Sequence, residues 1–288
     1  MSPNTLGALL MMASMASFTI NDALIKLTDG AVPLMQLLVI RGVLSSVLIL
    51  CLARWLGSIH FRIAARDWAL IGVRSVAEVG AAYFFITALL NMPLANVTAI
   101  LQVLPLTVAV GAALLFQEPL GWRRMSAILL GFMGMLLIVR PGAEGFSLWS
   151  VYALIAVLCV TVRDLATRRL SSEVPSMTVT WVAALTVTVF AGVASTTAEW
   201  VPIDTRLALL IGGASVFIIG GYFFSVQVMR VGEISFIAPF RYTGLVWALV
   251  LGWLVFGDWP SSLTLIGAAI VVATGLFTLY RERKVSAR

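Results

Sequence analysis

Ten apolar segments follow one another with almost nothing between them: residues 5–26, 33–54, 67–90, 93–116, 124–140, 147–168, 176–198, 206–229, 234–256 and 261–281. A helix needs about 20 apolar residues to cross the hydrocarbon core of a bilayer, and each segment is near that length. The breaks carry Asp29-Gly30, Pro33, Pro93, Glu118-Pro119, Pro141-Gly142, Pro175, Pro202 and Asp258 to Pro260, the residue types that end helices. Only 11% of the 288 residues are charged, against about a quarter in a water-soluble domain. The pattern predicts an all-α membrane protein of ten transmembrane helices, with the first stretch kept as a span because Met1 to Thr5 lack a basic leader.

Lys and Arg gather on the cytoplasmic side of membrane proteins. With ten spans both termini share a side. That side carries Arg54, Arg62, Arg66, Arg123, Arg124, Arg168, Arg169, Arg230, Arg281, Arg283, Lys284 and Arg288, and the other only Lys26, Arg140 and Arg206. The asymmetry predicts cytoplasmic termini and a multi-pass protein of the inner membrane. The net charge of +6 sits at segment ends and forms no stripe, which excludes a nucleic-acid surface.

The chain repeats itself. Asn21-Asp22 and Lys26 answer Arg163-Asp164 and Arg168 at an offset of 142, as Val32-Pro33 answers Val174-Pro175. Tyr83-Phe84-Phe85 returns as Tyr222-Phe223-Phe224 at 139, and Pro119 and Gly134 return as Pro260 and Gly275 at 141. The halves are residues 1–143 and 144–288, together one transmembrane domain. Each holds five spans, an odd number, so the second enters the membrane inverted. Inverted repeats are a recurring transporter plan in which two bundles rock about a central site.

Seven charges fall inside the segments: Asp22, Arg41, Arg74, Glu78, Arg163, Asp164 and Arg241. At ~2.5–3.5 kcal/mol each near a helix centre they need partners or water. Matched depth predicts the pairs Asp22–Arg41 and Asp164–Arg241 on opposite sides. Two readings are open for them: gates made and broken alternately, or permanent salt bridges. Arg74 and Glu78 share a helix face at i and i+4, with Glu78 near the midplane. They either bind substrate, or a coupling proton, or neutralise each other. Tyr83, Gln102, Tyr222, Gln227 and Tyr242 add the aromatic and polar character of a small-molecule pocket. Pro105 and Pro239 are expected to kink the fourth and ninth helices. Gly131, Gly134, Gly267 and Gly275 allow close backbone approach, within the bundle or in a homodimer through the fifth and tenth helices.

The run Phe116-Gln117-Glu118-Pro119, with Gly131, Gly134 and Leu137 to Gly142, resembles the fourth-to-fifth helix signature of EamA-type transporters of the drug/metabolite transporter superfamily. Ala238-Pro239-Phe240-Arg241-Tyr242, Gly252, Phe256-Gly257-Asp258, Pro260, Gly267 and Gly275 are similar to that family's closing segment. The resemblance implies a 5+5 bundle whose cavity is lined by the third, fourth, eighth and ninth helices, with the first and sixth as gates. The Asn21-Asp22, Lys26 and Arg41 pattern further resembles a branch containing S-adenosylmethionine and riboflavin importers. A secondary transporter of a small organic metabolite (an amino acid, S-adenosylmethionine, riboflavin or similar) is the function implied, with a channel or a flippase of amphiphiles as the alternatives. No phosphate-binding loop, nucleophile elbow or Cys/His metal spacing occurs, and His60 is the single histidine, so neither an enzyme nor a cofactor or metal is expected. Cys51 and Cys159 lie in apolar runs and predict no disulfide.

Overall fold

A computed structural model describes residues 2–55, 61, 63–117, 122–139, 147–171, 173–228, 231 and 237–286. His60, Glu118-Pro119 and residues 140–142 lie outside the described residues. Helices account for nearly all of the rest, and no strand occurs among the described residues. The first half holds α1 (Pro3–Lys26), α2 (Leu34–Trp55), α3 (Ala65–Asn91), α4 (Leu94–Leu101), α5 (Leu104–Phe116) and α6 (Trp122–Val139). The second holds α7 (Leu148–Arg168), α8 (Ser176–Ala194), α9 (Thr205–Val228), a 3-10 turn (Ala238–Tyr242), α10 (Thr243–Phe256) and α11 (Ser262–Ser286). Among the described residues eight helical segments are long and apolar enough to cross a membrane, counting α4 with α5 and the 3-10 turn with α10; 125–139 and 262–278 are shorter apolar helices.

The two halves start and stop their helices by the same chemistry. Ser2 and Ser147 cap α1 and α7, their side chains accepting from the backbone N–H of Thr5 and Trp149. Pro33 and Pro175 precede α2 and α8. The fourth helix of each half ends on a left-handed residue, Gln117 with φ 54° and Gly257 with φ 67°. In both halves that helix is also broken. Pro105 has no N–H to give the carbonyl of Leu101, and the chain tightens at Gln102-Val103 between α4 and α5. Pro239 lies in the 3-10 turn that leads into α10.

Packing crosses between the halves more than it stays within them. The most extensive interfaces are α1 on α9, α3 on α7, α6 on α11 and α2 on α8; smaller ones join α1 to α10, α5 to α7, α2 to α9 and α3 to α8. Exchanging each helix for its counterpart in the other half maps this pattern onto itself. The C-terminal end of α1 lies at the C-terminal end of α3, where Lys26 Nζ donates to the carbonyl of Met92. The C-terminal end of α7 lies at the opposite end of α3, where the Ser171 N–H donates to the carboxylate of Asp67. Equivalent helices α1 and α7 therefore run antiparallel.

Gly134 and Gly267 face one another where α6 crosses α11. A Cβ on Gly134 would lie 2.9 Å from the carbonyl oxygen of Gly267, so the close approach expected of these glycines is made inside one chain. Leu37, Leu89, Leu94, Ile100, Leu106 and Ile211 are sealed in the interior, while Val76, Leu114, Val193 and Leu209 are each about 70% exposed or more on the outside. A surface carrying so many large apolar side chains is unsuited to water and suited to lipid.

Candidate functional site

The interior charges converge on a cavity enclosed by α2, α3, α8 and α9. Helical spacing sets one face of each: Leu38, Arg41, Ser45 and Ile49 on α2, Arg74, Glu78 and Ala82 on α3, Thr180, Ala183, Ala184 and Val187 on α8, and Ile218 and Tyr222 on α9. Gly42 and the three alanines make the room. The volume is about 90 Å³, well below the roughly 300–1,000 Å³ of pockets that hold drug-sized ligands. In this conformation the space admits a few waters or a small functional group, and a whole metabolite needs the helices to part.

Glu78 is the hub. Its Oε1 is 3.4 Å from a terminal nitrogen of Arg163 on α7, and its Oε2 is 3.8 Å from Arg74 one turn earlier on α3. Arg163 also donates from Nε to Asp164 at 2.9 Å. Arg74 is steadied by Thr167, whose hydroxyl accepts from its Nε at 3.0 Å. Asp22 accepts from the Asn21 amide at 2.8 Å. Asn21 and Arg163 occupy equivalent positions, so each half presents an aspartate held by the residue before it. With Arg41, the cluster holds three guanidinium groups and three carboxylates.

Arg41 differs from the other two arginines. Its Nε is sealed with no hydrogen-bond partner, and among the described residues no ion pair within 4.0 Å reaches it. Asp22, Tyr222 and Glu78 lie within electrostatic reach of it without contact. A guanidinium facing a cavity with its Nε–H unused is set up to take an oxyanion.

Several expected placements are corrected. Among the described residues Asp22 and Arg41 are neighbours in the field without an ion pair within 4.0 Å, and Asp22 accepts from Asn21 instead. Asp164 does not meet Arg241: Arg163 holds it, and Arg241 stands exposed on the 3-10 turn that Pro239 imposes. The cavity draws on the second, third, seventh and eighth apolar segments, whereas the resemblance pointed to the third, fourth, eighth and ninth. The fourth and ninth instead pack on each other, with Gln102 near Gly244.

Arg74, Glu78 and Tyr222 line the cavity; Tyr83, Gln102, Gln227 and Tyr242 do not. Tyr83 stacks edge-on against Phe84. Gln227 sits half-buried near the end of α9. Tyr242 is buried with its hydroxyl against Gly275 and without a hydrogen-bond partner. Ser45 and Thr180 are lining residues that sequence reasoning passed over. Ser45 was within reach of it, lying four positions after Arg41 on one helix face.

Two related halves wrapped around a charged cavity, with an outer surface fit for lipid, define a multi-pass integral membrane protein of the transporter class. The chain belongs to the EamA-like transporter family, whose sequence profile matches residues 5–140 and again 147–280. A riboflavin transporter of Vibrio cholerae is 29% identical over 77% of this chain and 74% of its own. An S-adenosylmethionine uptake transporter of Rickettsia prowazekii is 24% identical over 67% of this chain and 65% of its own, so the match spans just under two thirds of that relative. A pseudopaline exporter of Pseudomonas aeruginosa is 25% identical over 96% of this chain and 97% of its own. A solved crystal structure shares the fold, with a TM-score of 0.65 over 96% of this chain and 98% of that one at 19% identity.

Proposed function

We propose that the protein is a secondary transporter that carries a small organic metabolite of mixed charge across the inner membrane by alternating access. In this reading all ten apolar segments span the bilayer, residues 1–143 and 144–288 are the two inverted halves, and both termini are cytoplasmic. The distribution of Lys and Arg supports that orientation. The cavity at Arg41, Arg74, Glu78 and Tyr222 is the substrate site.

The observation that carries the reading is the unpartnered Arg41 Nε facing a cavity whose lining carboxylate, Glu78, already answers to two other arginines. A cargo that brings a carboxylate supplies the missing partner to Arg41, and a positive group on the same cargo competes for Glu78 or Asp22. Amino acids and S-adenosylmethionine have that pairing. The named relatives include an uptake transporter and an exporter, so direction is left to experiment.

Thermal stabilisation of the detergent-purified protein tests this against amino acids, S-adenosylmethionine, riboflavin and polyamines, since a ligand of the folded state raises its melting temperature. A zwitterion is expected to stabilise the wild type and to lose its effect in Arg41→Ala. Stabilisation by polyamines alone, or by a zwitterion equally in Arg41→Ala, rejects the reading. Saturable uptake with counterflow in proteoliposomes separates a carrier from a channel.

A further inference from the structure

At each end of the bundle a cation closing the first helix of one half rests on the aromatic ring closing the fourth helix of the other. Lys26 Nζ lies 5.5 Å from the centroid of the Phe256 ring. The Arg168 guanidinium lies 5.4 Å from that of Phe116, with Arg169 at 4.8 Å on the same ring. Lys26 and Arg168 are 142 positions apart, and Phe116 and Phe256 are 140 apart. Both fall within the 139–142 range of the internal repeat, so the two contacts are one contact made twice. They sit at opposite ends of α3, and Glu78 lies midway between Ala65 and Asn91, the two ends of that helix.

We propose that these two cation–aromatic contacts are the gates of the transport path, broken alternately to open the cavity to one side and then the other. The proposal rests on the alternating-access reading above. Three features of the fold place the moving joint there. First, α1 with α9 and α3 with α7 are the extensively packed pairs, suited to move as units, while the α1 to α10 and α5 to α7 interfaces that the gates bridge are smaller. Second, each gate ties the first helix of one half to the other half, and Lys26 also donates to the carbonyls of Leu89 and Met92, holding α1 to the end of α3. Parting that end separates the α1/α9 unit from the α3/α7 unit. Third, a cation–aromatic contact contributes only about 0.5–2 kcal/mol, which suits a contact made and remade every cycle. Among the described residues the second gate is backed by a bond from Arg169 to the carbonyl of Leu115, and its cations are exposed where Lys26 is half-buried.

The test uses the full chain with Cys51→Ser and Cys159→Ser, and one reporter, Ser45→Cys, on the cavity wall. A membrane-impermeant maleimide is applied from either face of sealed vesicles, with a separate Asp29→Cys protein assigning the Lys26 face. Phe256→Leu is expected to raise reporter labelling several-fold from the Lys26 face alone, and Phe116→Leu from the opposite face alone. Phe→Tyr at either position keeps the ring and is expected to label at the parent rate. Lys26→Gln and Arg168→Gln with Arg169→Gln repeat the comparison from the cation side should a ring variant elute as aggregate. Parent-rate labelling in both Leu variants, both rising from one face, or Tyr behaving like Leu would each overturn the proposal. Labelling needs no cargo, so one-sided opening in a protein that binds none of the panel compounds rejects the substrate reading and leaves the gates standing.

Discussion

Glu78 of α3 and Arg163 of α7 stand 85 positions apart in the chain, one in each half, and approach to 3.4 Å inside the bundle. Each is about a fifth to a quarter exposed, so water from the cavity screens the pair and its coupling is smaller than that of a dry one. A double-mutant cycle on Glu78→Gln and Arg163→Met, read by unfolding in detergent, is expected to give about 1–2 kcal/mol of coupling. Additive single effects would mean that the contact holds nothing together.

Arg41 is expected to separate stability from transport. Because no hydrogen bond among the described residues uses it, Arg41→Met is expected to shift the unfolding free energy by no more than about 1 kcal/mol. Uptake is expected to fall by an order of magnitude or more, consistent with loss of a charge-assisted bond of about 1.5–3 kcal/mol to the cargo. Arg41→Lys keeps the charge and loses the planar fork, and an intermediate uptake is expected. A variant that unfolds readily while transporting normally would make Arg41 a structural residue.

The seam between α6 and α11 is expected to resist a single methyl group. Gly134→Ala places its Cβ against the backbone of Gly267, which no side-chain rotation relieves. A loss of about 1–3 kcal/mol is expected. Gly192→Ala, in α8 where nothing lies within 4 Å, is expected to be neutral or to stabilise by up to ~1 kcal/mol. Equal behaviour of the two variants in thermal unfolding would refute the tight seam.

Gln117 and Gly257 end equivalent helices in the same left-handed conformation, and only one of them is glycine. A side chain there costs roughly 1–2 kcal/mol. Gln117→Gly is expected to raise stability by about 1 kcal/mol and Gly257→Gln to lower it by a similar amount. Melting temperatures that move in the same direction for both exchanges would count against the matched caps.

The helices were legible because lipid imposes length and composition on every segment that meets it, and the repeat was legible because equal offsets survive in Asp22 and Asp164, Pro33 and Pro175, Tyr83 and Tyr222. The charge cluster was legible as a set but not as a network. Depth along a helix follows from counting residues, and it put Asp22 level with Arg41. Which way each side chain faces depends on helix rotation and on nearer competitors, and Asn21 took Asp22 while Arg163 took Asp164. Arg241 was counted among the buried charges because its segment reads as one apolar run. The 3-10 winding after Pro239 alters the periodicity and leaves it outside. The rings of Phe116 and Phe256 carried no signal, because one more aromatic at a helix end is common at a membrane surface.

The interleaving of the halves has a consequence for how the chain is made. Glu78 leaves the ribosome 85 residues before Arg163, about 4–17 s earlier at 5–20 residues per second. During that interval α3 sits in or beside the insertion machinery with its acidic side chain paired to Arg74, one turn earlier on the same helix. The broad faces that α1, α2, α3 and α6 will give to the second half are open as well. The first half is therefore born as an incomplete object. Its open faces are covered only once translation delivers the second half, beginning with α7.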